Sequence, residues 1–190
     1  MDRARKDRVP PNQRVTDRFP TLTYGPTPRI NLDEWRFDVT GLVEEPVSFT
    51  WNEFMALPQV TLASDIHCVT GWSRLDNEWE GVAFNEVMKH VRLRPEARYA
   101  IVQCYGDYTT NLSLPDLRAK DVLFAHKHDG KPLTLEHGWP LRLVVPHLYL
   151  WKSAKWVRGL TFVEHDQPGF WESSGYHMRG DPWTEERYSH

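Results

Sequence analysis

The sequence predicts a single α+β domain in which strands outnumber helices and the helices are short. The chain has 190 residues, which is the size of one ordinary domain. Most apolar segments are short or alternate with the period of a strand, and few reach helical spacing. The segments do not alternate regularly between strand and helix, so a doubly wound parallel sheet is not expected.

The apolar pattern gives the expected strands in chain order. Trp35 to Thr40 alternates with a period of two and stops at Gly41. The remaining strands are predicted over residues 99–105, 122–128, 141–146 and 156–163. Asp129-Gly130, directly after the third of these five strands, is typical of a hairpin turn. Residues 62–73 begin like a strand and continue as a loop.

Three short helices are expected between the strands. Thr50-Trp51-Asn52-Glu53 has the pattern of a capping box, which begins a helix. Residues 82–91 have apolar positions at helical spacing. Ser113-Leu114-Pro115 starts a third helix, because proline is tolerated in the first turn.

The ends of the chain are expected to be extended. Charges and prolines break any helix at the start, so residues 1–18 are predicted to form an N-terminal arm and residues 19–190 the domain. The glycine-containing and aromatic tail, residues 166–190, is expected to wrap the surface.

Composition excludes several function classes. The net charge of −3 argues against a general nucleic-acid or anionic-membrane surface. No apolar run is long enough to span a membrane. The N-terminus has no apolar segment of a secretory signal, so a cytoplasmic location is expected. The two cysteines, Cys68 and Cys104, are therefore interpreted as thiols, and they fit neither a c-type haem motif nor an iron–sulfur cluster.

Cys68 is the first candidate for chemistry. Its neighbours His67, Thr70, Gly71 and Ser73 do not form an apolar core run, although a free cysteine is often only a small buried hydrophobe. On these local grounds two functional interpretations stay open. The thiol could be a hydrolase nucleophile, although His67 would point to the opposite face of a strand. The other interpretation is a zinc site shared with His126, His128 and His137.

Two further segments have the residue types of an anion site. His137 and Arg142 flank a Gly/Pro turn into a buried strand, and arginine is suited to bidentate phosphate binding. Ser153, Ala154 and Lys155 follow soon after, and small residues beside a lysine can form an anion nest. Each segment alone is equally typical of a solvated loop.

Together the three segments resemble the sulfite-oxidase-type molybdopterin-binding family, and within it the small haem-free bacterial oxidoreductases. The resemblance extends over residues 19–188 and depends on the order and spacing of three stretches. These are HCVTGWSRLDNEWEGVAF, DVLFAHKHDGKPLTLEHGWPLRLVVP and LWKSAKWVRGLTFVE.

The resemblance implies the fold of that family, its molybdenum–molybdopterin cofactor and a role for each matching residue. Cys68 matches the cysteine whose thiolate binds the molybdenum, and a soft sulfur suits that role. His137 and Arg142 match pterin and phosphate contacts, and the 153–155 loop matches the anion-binding loop. Cys104 falls where relatives have a cofactor-contacting threonine. Tyr24 and Gly25 fall near the N-terminal segment that contacts the pterin.

The resemblance also implies an activity. The expected reaction is oxygen-atom transfer on a small-molecule substrate, with an external electron carrier and a monomeric protein, because the haem and dimerisation domains of larger relatives are not in the sequence. Arg74 is the catalytic candidate after Cys68, one residue out of register with the family's arginine. Only Arg74 lies close after Cys68, and so few arginines near the substrate favour S-oxide or N-oxide reduction over oxidation of the sulfite anion. The substrate funnel is expected to include Asp107, Tyr108, His177 and Arg179. A cofactor-free binding module of the same fold is the non-enzymatic alternative.

Overall fold

Two mixed β-sheets form the body of the computed structural model, which describes residues 7–189. The first sheet has six strands, which are β1 (Arg14–Val15), β4 (Gln59–Cys68), β5 (Trp72–Ala83), β8 (Leu123–His128), β9 (Lys131–Pro132) and β10 (Arg142–Val144). The second has five, which are β2 (Arg36–Gly41), β3 (Val47–Thr50), β6 (Tyr99–Cys104), β7 (Thr109–Ser113) and β11 (Val157–Val163). The predicted α+β class is confirmed.

The helices are short and lie at strand ends, as the sequence predicts. Helix α1 (Trp51–Met55) begins at the capping box, in which Thr50 Oγ1 accepts from Glu53 N and Glu53 accepts from Thr50 N. Helix α3 (Leu114–Leu117) is capped by Ser113. The helix expected over 82–91 is shorter. Its first two residues remain in β5, helix α2 covers Phe84–Val87, and a 3₁₀ turn follows over Met88–His90.

A long hairpin of β4 and β5 is the centre of the first sheet. The two strands pair antiparallel, with Cys68 opposite Trp72 at the closed end. The sequence predicts only a strand start followed by a loop in this region, so β5 is not predicted. Strand β1 from the N-terminal arm pairs parallel to β5, with Arg14 opposite Trp72. Residues Arg14–Val15 of the N-terminal arm thus contribute a strand to the sheet beside the cysteine.

The second sheet has the strand order β3-β2-β11-β6-β7. Strand β11 lies in its middle, parallel to β2 and antiparallel to β6. The hairpin turn predicted at Asp129-Gly130 is confirmed in the first sheet, where it joins β8 to β9 and both residues have the positive φ of such a turn.

Aromatic side chains fill the larger of two hydrophobic clusters. Trp35, Phe37, Phe54 and Phe124 are completely buried there, with ring centroids 4.9–6.3 Å apart. Tilted and edge-to-face contacts of this kind add to the stabilisation from the buried area. The second cluster lies on the first sheet and contains Cys68. The tryptophans thus serve both the core and, through Trp72 and Trp79, the surroundings of the cysteine.

The C-terminal tail does more than wrap the surface. Its Glu172 is fully buried and forms an ion pair of 2.6 Å with Lys152. The Lys152 ammonium also donates to Asn111 Oδ1 and Met178 O. The charge of Lys152 is therefore used inside the protein. No helix within residues 7–189 has the length and apolar character needed to cross a membrane.

Candidate cofactor site

Cys68 is the last residue of β4 and its side chain is 5% exposed. The chain turns immediately after it, since Gly71 N donates to Cys68 O at 3.0 Å and Gly71 has a φ of +91°. The thiol Sγ lies 3.1 Å from Thr70 Oγ1. The hairpin thus holds the sulfur at the edge of the second cluster, next to a hydroxyl that can donate to it.

Burial raises the pKa of the Cys68 thiol, while the Thr70 hydrogen bonds and the charge of Arg187 act in the opposite direction. Burial dominates, so the isolated thiol is protonated at neutral pH and is a poor nucleophile. A metal ion displaces such a proton on binding, because the ligand form of cysteine is the thiolate. The environment suits a metal ligand better than a hydrolase nucleophile.

His67 is turned away from the thiol. Its Nδ1 is 2.8 Å from Ser73 Oγ, and burial lowers its pKa to about 4. Its ring lies edge-to-face with Trp183. This agrees with the argument from strand geometry that His67 cannot act as a base for Cys68.

The zinc alternative does not hold in the described part of the chain. His126 is hydrogen-bonded to Gln59, His128 to Asn77, and His137 to the carbonyl of Phe19, each at 3.0 Å. Within residues 7–189 no group of three or more His, Cys, Asp or Glu side chains is arranged to hold a metal ion. The three histidines of the zinc interpretation are therefore each hydrogen-bonded to a different residue.

Arg142 is the central cation of the site and is 3% exposed. Its Nη1 donates to His137 O at 2.9 Å and its Nη2 to Ser153 O at 3.0 Å. Its Nε has no hydrogen-bond partner among the described residues. Burial lowers the pKa of Arg142 to about 10. A buried guanidinium without a carboxylate partner is costly, and a bound anion would offset that cost.

Gly138 allows His137, Arg142 and Lys155 to approach one another. Its φ is +109°, and a Cβ at this position would lie 3.0 Å from Arg142 Cβ and 3.1 Å from Lys155 Cβ. A residue with a side chain would be strained in this conformation and would push the two cations apart. The structure therefore brings together the two predicted anion-binding segments through a glycine.

Lys155 is held by three uncharged oxygens. Its Nζ donates to Leu22 O at 3.0 Å, Thr23 Oγ1 at 2.5 Å and Glu136 O at 3.0 Å. Burial, and to a smaller extent the charge of Arg142, lowers its pKa to about 8. The positive charge of this region is consequently in excess and favours an anionic ligand.

The N-terminal segment Phe19–Thr23 covers this positive region. The Phe19 ring stacks on His137 with centroids 4.3 Å apart, and it lies 5.4 Å from the Arg142 guanidinium carbon. No local sequence pattern predicts this contact of Phe19. Tyr24 follows directly but is 71% exposed, packed 4.8 Å from Phe170, and Gly25 lies in open space. The pterin contacts expected of Tyr24 and Gly25 stay predictions.

The other predicted residues have mixed positions. Ser153 Oγ accepts from Val145 N at 2.9 Å and Ala154 O accepts from Leu143 N at 2.8 Å, so both residues fix the loop beside Arg142. Cys104 ends β6 in the second sheet and belongs to the larger cluster, and burial raises its pKa. Its role as a cofactor contact stays a prediction.

Arg74 is occupied by a polar network. Its Nη2 pairs with Asp129 at 2.5 Å, its Nη1 bonds Asn77 and His128, and its Nε donates to Asp17 O at 3.3 Å. All three nitrogens therefore have protein partners. This arrangement favours a structural role over the catalytic role expected from the sequence.

The funnel candidates are also held by internal contacts. Tyr108 OH donates to Trp151 O at 2.7 Å, and Asp107 is exposed on a turn. His177 lies 3.3 Å from Glu186, while Arg179 pairs with Asp116 and Asp181 at 3.2 and 2.9 Å. A funnel role for these four residues stays a prediction.

The residues present fit an anionic, hydrogen-bonding cofactor. Arg142 Nε and Trp79 Nε1 are buried polar atoms of this region without hydrogen-bond partners in the described chain. Native proteins rarely leave such atoms unsatisfied, so they indicate a missing partner. A thiol at one end of the region and two cations at the other match a metal-bearing group that also carries a phosphate.

Comparisons with known proteins identify the family of the chain. The mixed-sheet fold is that of the molybdopterin-binding oxidoreductase class. Residues 24–171 match the family described as the oxidoreductase molybdopterin binding domain, and the chain belongs to that family.

Two relatives and one solved structure are similar to the chain. The chain is 49% identical over 183 residues to the uncharacterized oxidoreductase YuiH of Bacillus subtilis, covering 96% of this chain and 92% of that protein. It is 30% identical over 174 residues to the putative protein-methionine-sulfoxide reductase subunit YedZ1 of Azospira oryzae, covering 90% of this chain and 66% of that protein. The structure of the sulfane dehydrogenase SoxCD from Paracoccus pantotrophus shares the fold with a TM-score of 0.69 at 21% identity, over 76% of this chain and 42% of that chain.

Proposed function

We propose that the protein is a molybdenum-cofactor-dependent oxidoreductase that transfers an oxygen atom on a small substrate, and that it reduces an S-oxide or N-oxide. The observation that carries the proposal is the position of Phe19. Its ring lies 6.4 Å from Trp72, the partner of Cys68 in the hairpin, and 4.3 Å from His137 in the cationic region. The thiol and the cations therefore border one aromatic-walled region.

Each residue has a role that follows from its surroundings. Cys68 supplies the thiolate ligand, and the Thr70 hydroxyl 3.1 Å away donates a hydrogen bond to the sulfur. Arg142 and Lys155 neutralise the phosphate, with His137 beside them. Phe19 excludes water from the Arg142 guanidinium, which strengthens its attraction for an anion. The bound molybdenum supplies the two-electron chemistry by which an oxygen atom is gained or lost.

Two observations support reduction over sulfite oxidation. Sulfite is an anion, so its binding would need arginine side chains that are free on the substrate side. The guanidinium nitrogens of Arg74 are instead occupied by hydrogen bonds and an ion pair within the protein. The name of the relative YedZ1 refers to methionine-sulfoxide reduction, which is the same class of chemistry. The electrons would come from an external carrier, in line with the description of the relative YedZ1 as a subunit.

We further propose that the protein works in the cytoplasm. The support is that Cys68 and Cys104 are both buried free thiols, which persist best in a reducing compartment.

The test is metal and pterin analysis of protein from a molybdate-supplied host. We expect about one molybdenum per chain, pterin fluorescence after oxidation, and turnover of an S-oxide or N-oxide with a reduced viologen dye. The decisive variant is Cys68→Ser, which should abolish turnover. A wild-type protein without molybdenum and pterin would refute the proposal and favour a cofactor-free binding module. If the protein oxidised sulfite and did not reduce an S-oxide or N-oxide, only the proposed direction of the reaction would be wrong.

A further inference from the structure

The loop that follows Cys68 is held by its backbone carbonyls, and the groups that hold it come from both ends of the chain. From the N-terminal arm, Gln13 Nε2 donates to Cys68 O at 3.1 Å and Arg14 N donates to Gly71 O at 3.0 Å. From the C-terminal tail, Arg187 Nη1 donates to Val69 O. Three carbonyls of a four-residue turn are thus bonded to segments distant in sequence.

Arg187 is itself fixed by its neighbours. Its guanidinium carbon lies 5.1 Å from the centre of the Tyr149 ring, and its Nη2 lies 3.7 Å from Glu185 Oε1. Tyr149 is fully buried and pairs with His67, the residue before the cysteine, through a parallel bridge. The tail arginine therefore contacts the hairpin end on one side and a buried aromatic wall on the other.

A second contact joins the two ends directly. Asn12 Nδ2 donates to Glu185 Oε1 at 2.6 Å, and Asn12 is the neighbour of Gln13. The contacts of Gln13, Asn12, Glu185 and Arg187 form a closed path across the loop. We call these four residues the loop clamp. They lie outside residues 24–171, the part of the chain that matches the family.

We infer that Arg187 is a positioning residue that acts through the loop clamp to fix the direction of the Cys68 sulfur. The inference rests on the proposed function for what the sulfur binds, but the clamp exists without it. A charge-assisted hydrogen bond to Val69 O restrains the peptide next to the cysteine, and the contact with Tyr149 restrains the arginine. The Thr70 hydroxyl contacts the sulfur itself, and Arg187 acts on the sulfur through the backbone and, more weakly, through its charge.

The first experiment uses the cofactor-free protein and measures alkylation of Cys68, with Cys104 as the internal reference. Arg187→Met should accelerate Cys68 labelling about tenfold or more, because a hydrogen bond to a charged group limits opening of the loop. Hydrogen exchange at Gly71 N should accelerate in parallel. Gln13→Leu should have the same effect through Cys68 O. Arg92→Gln, in an arginine that is 87% exposed, should match the wild type.

If the rates of Cys68 labelling and of Gly71 N exchange in Arg187→Met were within twofold of the wild-type rates, the inference would be overturned. If this variant does not fold, Arg187→Gln gives the same decision, because glutamine removes the charge and the contact with Tyr149 while keeping a polar side chain. Equal labelling in Arg187→Gln and the wild type would also overturn it.

The second experiment separates positioning from mere stabilisation in loaded protein. At equal molybdenum content, Arg187→Met should show an altered Mo(V) electron paramagnetic resonance signal, because the ligand sulfur changes direction. A signal identical to the wild type per bound metal would reduce Arg187 to a structural residue and overturn the inference. If wild-type protein binds no molybdenum, the proposed function fails, whereas the labelling result still decides whether the clamp exists.

Discussion

Lys152 Nζ and Glu172 Oε1 lie 2.6 Å apart, and both side chains are almost completely removed from solvent. Trp151 Nε1 and Thr110 Oγ1 also donate to the same carboxylate oxygen, at 2.8 and 3.0 Å. This ion pair connects the C-terminal tail to the segment that leads into the Ser153–Lys155 loop. It therefore links the stability of the fold to the geometry of the candidate site.

Breaking this pair should be strongly destabilising. Glu172→Gln leaves the Lys152 ammonium buried without its counter-charge, which costs about 3–5 kcal/mol in comparable cases. Chemical denaturation measures the loss in the free energy of unfolding. The exposed pair Arg92–Glu44, at 3.7 Å, is the control, and Glu44→Gln should change stability by less than about 1 kcal/mol. Equal effects of the two substitutions would contradict this prediction.

Gly138→Ala should disturb the candidate site more than an equivalent change elsewhere. Gly138 and Gly130 both have positive φ, but a Cβ at Gly130 meets open space, whereas one at Gly138 meets Arg142 and Lys155. We expect Gly138→Ala to cost about 1–3 kcal/mol more than Gly130→Ala, as in overpacked sites, and to lower cofactor content. Thermal unfolding and metal analysis of both variants measure the difference. Similar losses would show that backbone strain alone matters at Gly138.

The sequence predicted those features that depend on local chemistry. The capping box at Thr50 and the Asp129-Gly130 turn are set by nearby residues, and both are confirmed. The α+β class is confirmed for the same reason, because it follows from the periods of short segments. The family was recognised from the order of three motifs, and the match over residues 24–171 confirms it.

The missed features depend on contacts between distant residues. Strand β5 follows the cysteine loop without an apolar alternation, and it is stabilised by pairing with β1, β4 and β8. Lys152 looks like a loop cation in sequence, because its partner Glu172 lies 20 positions away. Phe19 and Arg187 lie in polar terminal segments whose composition is typical of solvated chain. No local pattern marks such residues, because their roles follow from where the chain ends pack.

Phe19→Ala should weaken retention of the cofactor. The Phe19 ring packs against Trp72, Trp79, His128 and His137, with centroids 4.3–6.4 Å apart. Removing it opens a path for water to Arg142 and weakens the attraction for an anion. We expect cofactor release to accelerate several-fold, measured by pterin fluorescence after dilution. Phe19→Leu keeps most of the volume and should release the cofactor at nearly the wild-type rate, whereas equal release from all three proteins would contradict the covering role.

Lys155 gives the protein a pH dependence on the alkaline side. Its pKa is lowered to about 8 by burial, below its value in the unfolded chain. The folded state therefore loses this proton before the unfolded state does, and the unfolded state binds more protons from about pH 8 up to the ordinary lysine pKa. In that window the Lys155 contribution to the free energy of unfolding must rise with pH.

The expected result is a difference between the wild type and Lys155→Met. The free energy of unfolding of the wild type, measured by urea denaturation of cofactor-free protein, should increase relative to that of the variant as the pH rises through 8. Below pH 8 the difference should be flat, because lysine is protonated in both states there. A bound phosphate favours the charged ammonium and raises the Lys155 pKa, so in loaded protein the rise should begin at a higher pH. A flat difference across the whole range would show that Lys155 titrates as an ordinary surface lysine and is not part of a buried cationic site.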